Sequence, residues 1–216
     1  MREPTTDRLI EALALQARAV KPLLPPALRA AAWLALVAAC FAFIIVLGGA
    51  GAEMASRLPD QIYLLELVAT VVTGAAAIVA AAPLSIPGRS PRWLLLPLPS
   101  ALVWFGCASW RCYRHVEAYG LDLSPFQSVH CFMFITGASV PLAIAAFFFL
   151  RRALPMNSGR VTALAGLGVA ALAAVLLQFF HPAETTPVDF ATHLAAIALI
   201  VVVMTTLGRK ALEREA

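Results

Sequence analysis

The chain has little charge for its length. Of its 216 residues only 13% are Asp, Glu, Lys or Arg, whereas 61% are hydrophobic. A soluble domain is about a quarter charged and close to half apolar. The scarcity of charge excludes a water-soluble globular domain and a disordered chain. Together with a mean hydropathy of +0.84, it predicts an integral membrane protein.

Cysteine is also scarce, and the motifs of several enzyme classes are missing. Four cysteines are too few for a disulfide-stapled module, and no two of them form a Cys-x-x-Cys pair. The sequence contains no phosphate-binding loop and no dinucleotide-binding fingerprint. We therefore expect no enzymatic activity. The net charge of +4 is spread over several short segments, so we also expect no direct contact with nucleic acid.

Long apolar segments, in contrast, are abundant. A membrane-spanning helix needs about 20 mostly apolar residues, and six segments come close to that length. None has Lys or Arg near its middle, and none alternates with the period of two typical of transmembrane strands. The sequence thus predicts an all-α, polytopic membrane protein with a bundle of six transmembrane helices. The predicted spans are residues 30–49, 62–82, 93–110, 131–150, 161–180 and 190–207.

The positions of Lys and Arg predict the orientation of the bundle. Basic residues are enriched in cytoplasmic segments of membrane proteins. Thirteen of the 16 Lys and Arg residues lie on the side of the two termini, and three, Arg57, Arg111 and Arg114, lie on the other side. We therefore expect the bundle to lie in contact with lipid, with both termini in the cytoplasm. The parts of the chain are a cytoplasmic N-terminal segment (1–28), the bundle (29–207) and a cytoplasmic C-terminal tail (208–216).

The N-terminal segment contains a short amphipathic pattern. Apolar residues recur at spacings of three and four, as they do on one face of an α-helix. A helix of about 15 residues is marginal alone in water. We expect it to fold against the bilayer surface, its own bundle or a groove on a partner protein. The apolar stripe consists of Leu9, Ile10, Leu13, Ala17 and Val20.

Sulfur and imidazole side chains concentrate at the predicted outer side, whose longest loop is expected at residues 111–130. Thiolates and imidazoles are ligands that suit copper and zinc. Cys131, His181 and His193 stand at the outer ends of three spans and are candidates for a soft-metal site. Polar residues without any ligand are the alternative. The full set of candidates for metal or redox sensing is Cys107, Cys112, Cys131, His181 and His193.

Two polar residues lie inside predicted spans near the outer side, Glu66 in the second and Gln178 in the fifth. Ionisable residues within membranes generally face the bundle interior and pair with other polar groups. We expect each either to extend toward the membrane interface or to hydrogen-bond to a neighbouring helix, rather than to relay protons. The fifth span is also rich in Gly and Ala, a composition typical of closely packed membrane helices.

Short motifs follow one another in a characteristic order along almost the whole chain. They are Leu9, Ile10 and Leu13 before a proline-rich stretch, Leu64-Leu65-Glu66-Leu67, Pro87-Gly88-Arg89-Ser90 with Trp93, Leu95-Leu96-Pro97-Leu98-Pro99, Cys107, Cys131, Pro141, Leu150-Arg151-Arg152 with Pro155, His181, His193 and Gly208-Arg209. In this order and spacing the sequence resembles the NrsF (negative regulator of sigma F) family of six-span bacterial inner-membrane anti-sigma factors.

The resemblance implies a function. A cytoplasmic tail would hold an extracytoplasmic-function sigma factor inactive at the membrane, and a metal or oxidative stress signal in the periplasm would release it. Cys131 matches one sensing cysteine of the family, but this chain has His181-Pro182 where family members tend to have His-Cys-Pro. Three outcomes remain open: Cys107 or Cys112 substitutes, a Cys131, His181 and His193 metal site does the sensing, or this input has been lost.

Two other classes of protein are alternatives to an anti-sigma factor. A small-solute transporter needs polar residues along the mid-membrane faces of several helices, and the sequence has few. A membrane thiol-redox protein needs paired outer cysteines, and the three here include no Cys-x-x-Cys. We therefore favour the anti-sigma factor.

Overall fold

The computed structural model describes residues 6–16, 24–49, 55–121, 126–151, 157–180 and 186–215. Among these residues there are helices and turns and no strands, which confirms the all-helical prediction. Six helices are long and apolar enough to cross a membrane. The helices are α1 (Thr6–Gln16), α2 (Pro26–Gly48), α3 (Gln61–Leu84), α4 (Leu98–Tyr119), α5 (Phe126–Arg151), α6 (Ser158–Gln178) and α7 (Pro187–Glu215), with a 3₁₀ helix (Pro91–Leu95) before α4.

The helix ends follow from local sequence. Pro26 opens α2, at a position where the missing N–H of proline has no helical partner to lose. Gly49, with φ of 65°, ends that helix in the left-handed conformation that glycine adopts readily. The Asp60 carboxylate caps α3 by accepting hydrogen bonds from the amides of Ile62 and Tyr63 at 2.9 and 3.3 Å.

Five of the long helices surround the sixth. Neighbouring contacts run from α2 to α3, α4, α7, α5 and back to α2, while α6 packs against α3, α5 and α7. We call the end of the bundle at which α2 begins the tail end, and the opposite end the far end. Helix α6 is buried on all sides for nearly its whole length, whereas each surrounding helix buries one face.

Small residues allow α6 to approach its neighbours closely. A Cβ on Gly168 would lie 3.1 Å from the carbonyl oxygen of Gly74 in α3, and a Cβ on Gly166 would lie 3.0 Å from Cα of Val201 in α7. Backbones that are this close gain dispersion contacts along their length, which is how helices associate in lipid without a hydrophobic driving force. The prediction of a closely packed fifth span is therefore confirmed.

A buried arginine joins α2 to α5 at the tail end. The Nη2 of Arg29, in the first turn of α2, donates a hydrogen bond of 2.6 Å to the carbonyl oxygen of Phe149 near the end of α5. The Arg29 guanidinium carbon also lies 4.8 Å from the centroid of the Phe149 ring. A cation at this position satisfies a terminal carbonyl and complements the negative end of the helix dipole.

The third membrane helix differs from its predicted extent. It begins with the 3₁₀ helix, because Pro97 and Pro99 interrupt regular α-helical hydrogen bonding, and α4 then continues to Tyr119. The expectation that residues 111–130 form a long loop is therefore wrong for 111–119, which belong to α4, and for 126–130, which belong to α5. Gly120, with φ of 82°, ends α4. The charged residues of this stretch were the reason for the error, since they lower its hydropathy without preventing a helix.

We predict that Gly166→Ala destabilises the bundle, because its new Cβ forces α7 away from α6. The expected loss is about 1–3 kcal/mol, typical of overpacking, measured by thermal unfolding of the detergent-solubilised protein. Gly106→Ala is the matched control, since a Cβ there meets nothing within 4 Å. Equal effects of the two substitutions would show that the seam between α6 and α7 is not tightly packed.

Candidate functional site

Helix α1 presents an uncovered apolar face. Every described side chain of α1 is exposed. Leu9, Ile10 and Leu13 leave 51%, 59% and 59% of their surface accessible. The remaining residues of the predicted stripe, Ala17 and Val20, lie outside the described residues. A contiguous apolar face of this kind marks a surface that another molecule covers.

The candidate sensing cysteines lie toward the far end of α4 and α5. Cys107 and Cys112 of α4 are half-buried, and Cys131 of α5 is buried, with 2% of its surface exposed. None of the chain's cysteines, all of which the structure describes, forms a disulfide. A reagent that reacts with Cys131 therefore has to reach it through a local opening of the bundle.

The histidine candidates are placed differently. His181 lies outside the described residues, and His193 of α7 lines a small cavity at the far end whose walls do not include Cys131. Over the described ranges no three His, Cys, Asp or Glu side chains are grouped as a metal site. The structure instead brings His193 together with residues that the sequence did not connect to it.

An ion pair between α3 and α4 forms the core of that site. The Arg111 Nη1 donates a hydrogen bond of 3.0 Å to Oε2 of Glu66, and the two side chains are 15% and 10% exposed. The Arg111 guanidinium carbon also lies 5.5 Å from the centroid of the Tyr63 ring. Because a carboxylate loses its hydration at this depth, only a partner of opposite charge and good geometry makes its burial tolerable. This interhelical bond confirms the second of the two expectations for Glu66.

The end of the central helix is tied to the same cluster. The carbonyl oxygen of Gln178 accepts hydrogen bonds from Oη of Tyr63 at 3.2 Å and from Nη1 of Arg57 at 3.3 Å. Its side-chain Nε2 donates to Oγ1 of Thr70 at 3.5 Å, and that hydroxyl donates to the Glu66 carbonyl at 2.6 Å. The bond to a neighbouring helix, one of the two expectations for Gln178, is thus present, and it links α6 to α3.

A cavity of about 60 Å³ lies among these groups, between α3, α4, α6 and α7. On one side it is lined by the stacked rings of Trp104 and Phe105, whose centroids are 4.9 Å apart. The Oε1 of Gln178 is buried there without a hydrogen-bond partner among the described residues. The space suffices for a few water molecules. Its polar walls are Arg57, Tyr63, Glu66, Arg111, Gln178 and His193.

The sequence indicates Glu66 and Gln178 as polar groups within spans, but it does not indicate their partners. Hydropathy places Arg111 in a loop, although this residue continues a helical stripe in α4. It follows the buried residues Ala101, Trp104 and Ala108 at spacings of three, four and three. That periodicity was the available signal, and it places the guanidinium on the face that packs against α3. Arg57 and Tyr63 carried no comparable signal, because their contacts depend on how α6 ends.

The fold and this site define a class of protein: a six-helix membrane bundle with an uncovered amphipathic helix in front of it and a buried charged cluster at the far end. A family model described as NrsF, negative regulator of sigma F, matches residues 13–213. The chain therefore belongs to the NrsF family, as the resemblance implied. No curated protein and no solved structure matches the chain. The matched region begins at Leu13, so it includes only part of the α1 stripe.

We predict that Glu66→Gln destabilises the protein, because it leaves the Arg111 charge buried without a counter-charge. Breaking such a pair costs about 3–5 kcal/mol, and Glu66→Gln combined with Arg111→Gln should recover part of that loss. Thermal unfolding in detergent measures both effects.

The matched control for this prediction is Glu117→Gln. It breaks the exposed pair of Arg114 and Glu117 within α4, the helix that also carries Arg111. An exposed ion pair contributes little, so its loss should leave the unfolding midpoint nearly unchanged. A Glu66→Gln variant as stable as Glu117→Gln would mean that water solvates Arg111 fully.

Proposed function

We propose that this protein is a membrane-bound anti-sigma factor that sequesters an extracytoplasmic-function sigma factor through α1. The family description identifies it as a negative regulator of a sigma factor. The observation that carries the proposal further is the exposed stripe of Leu9, Ile10 and Leu13. A short amphipathic helix with such a stripe fits an apolar groove on a partner protein.

The stripe accounts for part of the binding energy that sequestration requires. Full burial of a Leu or Ile side chain contributes roughly 1.5–3 kcal/mol. Since just over half of each of these surfaces is still exposed, covering the three residues contributes about 4 kcal/mol. Association itself costs several kcal/mol, so three side chains alone give a weak complex. We therefore propose that Ala17 and Val20 add contacts with the sigma factor.

The proposal has both termini in the cytoplasm of a bacterial inner membrane. Its support is the excess of basic residues on the tail side, thirteen of 16, and the cytoplasmic location of sigma factors. In this orientation the far end of the bundle faces the periplasm, together with Cys107, Cys112 and His193. Cys131, near the start of α5, lies at the same end.

We propose that a metal ion or an oxidant acts at this far end and shifts the bundle between two arrangements. Moving such an equilibrium from 1:99 to 99:1 requires about 5.5 kcal/mol of differential binding. Support comes from the placement of the thiols and of the charged cluster around Glu66 and Arg111, which joins three helices within one contact network. We propose no enzymatic step, because release needs binding energy and not turnover.

We predict that Leu9→Glu combined with Leu13→Glu releases the sigma factor, because a charged stripe cannot enter an apolar groove. Affinity should fall on the order of 100-fold, the loss expected for two buried leucines. Co-purification of the sigma factor with the full-length protein and a sigma-dependent reporter measure the effect. Deleting residues 1–21 should have the same result.

Leu15→Glu is the matched control for this prediction. Leu15 is 84% exposed and lies on the opposite face of α1 from the stripe. The same chemical change there should leave sigma binding intact. If the Leu15 variant releases the factor equally, or if the double variant still binds it, then α1 does not bind through the stripe.

We predict that Cys131→Ser changes the induction of the reporter by zinc, copper or the thiol oxidant diamide, because it removes the buried thiol at the far end. The measurement is the dose–response curve of each inducer. Cys40→Ser serves as control, since Cys40 is exposed on α2, away from the candidate sensing cysteines. Superimposable curves for wild type and Cys131→Ser would assign that cysteine a structural role.

A further inference from the structure

A second cavity, of about 300 Å³, opens at the tail end between the connection of α3 to α4 and the start of α6. Its floor is apolar and consists of Leu84, Ile86 and Val161. Its rim is polar and exposed, and consists of Gly88, Arg89, Asn157 and Arg160 together with two prolines. None of the residues that line it is acidic.

The two arginines of this rim differ from the buried cations of the bundle. Arg29 and Arg111 are held by a carbonyl and a carboxylate, respectively. Arg89 and Arg160 form no ion pair or hydrogen bond through their guanidinium groups with any residue in the described part of the chain. Two such cations in the lining of one concavity, without a compensating carboxylate among the described lining residues, create a positive potential that attracts an anion.

The backbone at the start of α6 strengthens this potential. Asn157 occupies the cap position of α6, but its side chain makes no capping hydrogen bond to the first turn. The first amides of a helix carry a partial positive charge and bind anions. The cavity therefore combines two arginines with the partial positive charge of a helix N-terminus.

The position of the cavity indicates which anion it receives. Leu84 is the last residue of α3, Val161 lies in the first turn of α6, and both helices are membrane spans. The cavity thus lies where the spans leave the hydrocarbon region, at the depth of lipid headgroups. Basic pockets between helices at this level suit anionic headgroups, and the apolar floor suits the glycerol and upper acyl carbons of a lipid.

We propose that this cavity is a binding site for the headgroup of an anionic phospholipid, whose phosphate contacts Arg89 and Arg160. The site joins the connection between α3 and α4 to the start of α6. It does not depend on the sigma-binding function of α1. An acidic segment of a protein partner and free phosphate are the competing occupants.

The test is lipid retention by the full-length purified protein, followed by native mass spectrometry during detergent exchange. Wild type should retain phosphatidylglycerol in preference to phosphatidylcholine. Each of Arg89→Gln and Arg160→Gln should lower that preference about 5-fold, and the double variant about 25-fold, since a cation near the surface contributes about 1 kcal/mol. Arg92→Gln, an exposed arginine of the same connection that does not line the cavity, should retain the wild-type preference.

Four results would overturn the proposal. The first is equal retention of the two lipids by wild type. The second is an unchanged preference in the double variant, with unfolding in detergent confirming that it is folded. The third is displacement of phosphatidylglycerol by millimolar inorganic phosphate, which would assign the cavity to free phosphate. The fourth is loss of sigma-factor co-purification in the double variant with lipid retention intact, which would assign it to a protein partner.

Discussion

Close contact between small side chains holds α6 at the centre of the bundle, and the positions of the other helices depend on it. In lipid the solvent is as apolar as the side chains, so helices associate through packing and polar bonds. Gly166 and Gly168 bring the backbones of α7 and α3 against α6. Because these contacts fill the middle of the bundle, the polar groups that could bind ligands or react concentrate at its two ends. The separation of the proposed sigma-binding end from the proposed sensing end is a consequence of this packing.

The charged side chains of the Glu66 and Arg111 pair are buried at the far end of the bundle, and those of the cavity at its tail end are exposed. At the far end Glu66 and Arg111 are buried and paired, and their neighbours tie them to the end of α6. A buried pair adds little net stability over an apolar core, but it strongly disfavours arrangements in which one partner is left alone. At the tail end Arg89 and Arg160 are exposed and have no counter-charge among the residues that the structure describes. The buried pair at the far end fixes the register of α3 and α4. The two exposed arginines at the tail end leave a positive potential that an anion from outside the chain would neutralise.

The sequence was sufficient for the fold class and for the number of membrane helices, because apolar runs of about 20 residues have few structural solutions in a bilayer. It also indicated a bond from Glu66 to a neighbouring helix as one of two alternatives. It failed for Arg111, since hydropathy assigns a charged residue to a loop unless a helical stripe is followed past the apolar region. Arg57 and Tyr63 were beyond its reach, because they meet at a carbonyl of α6 more than 100 positions away along the chain. Contacts of that kind are set by tertiary packing.

The hydrogen bond between Arg29 and Phe149 couples the end of α5 to the start of α2. Cys131 and Phe149 are 18 positions apart on this helix, a distance of about 27 Å at 1.5 Å per residue. The buried thiol therefore lies near one end of α5, and the other end is hydrogen-bonded to Arg29 in the first turn of α2. A rotation or axial slip of α5 that begins at the thiol would displace Arg29 and the start of α2. The start of α2 is thus coupled to the buried thiol through a helix that is long and apolar enough to cross a membrane.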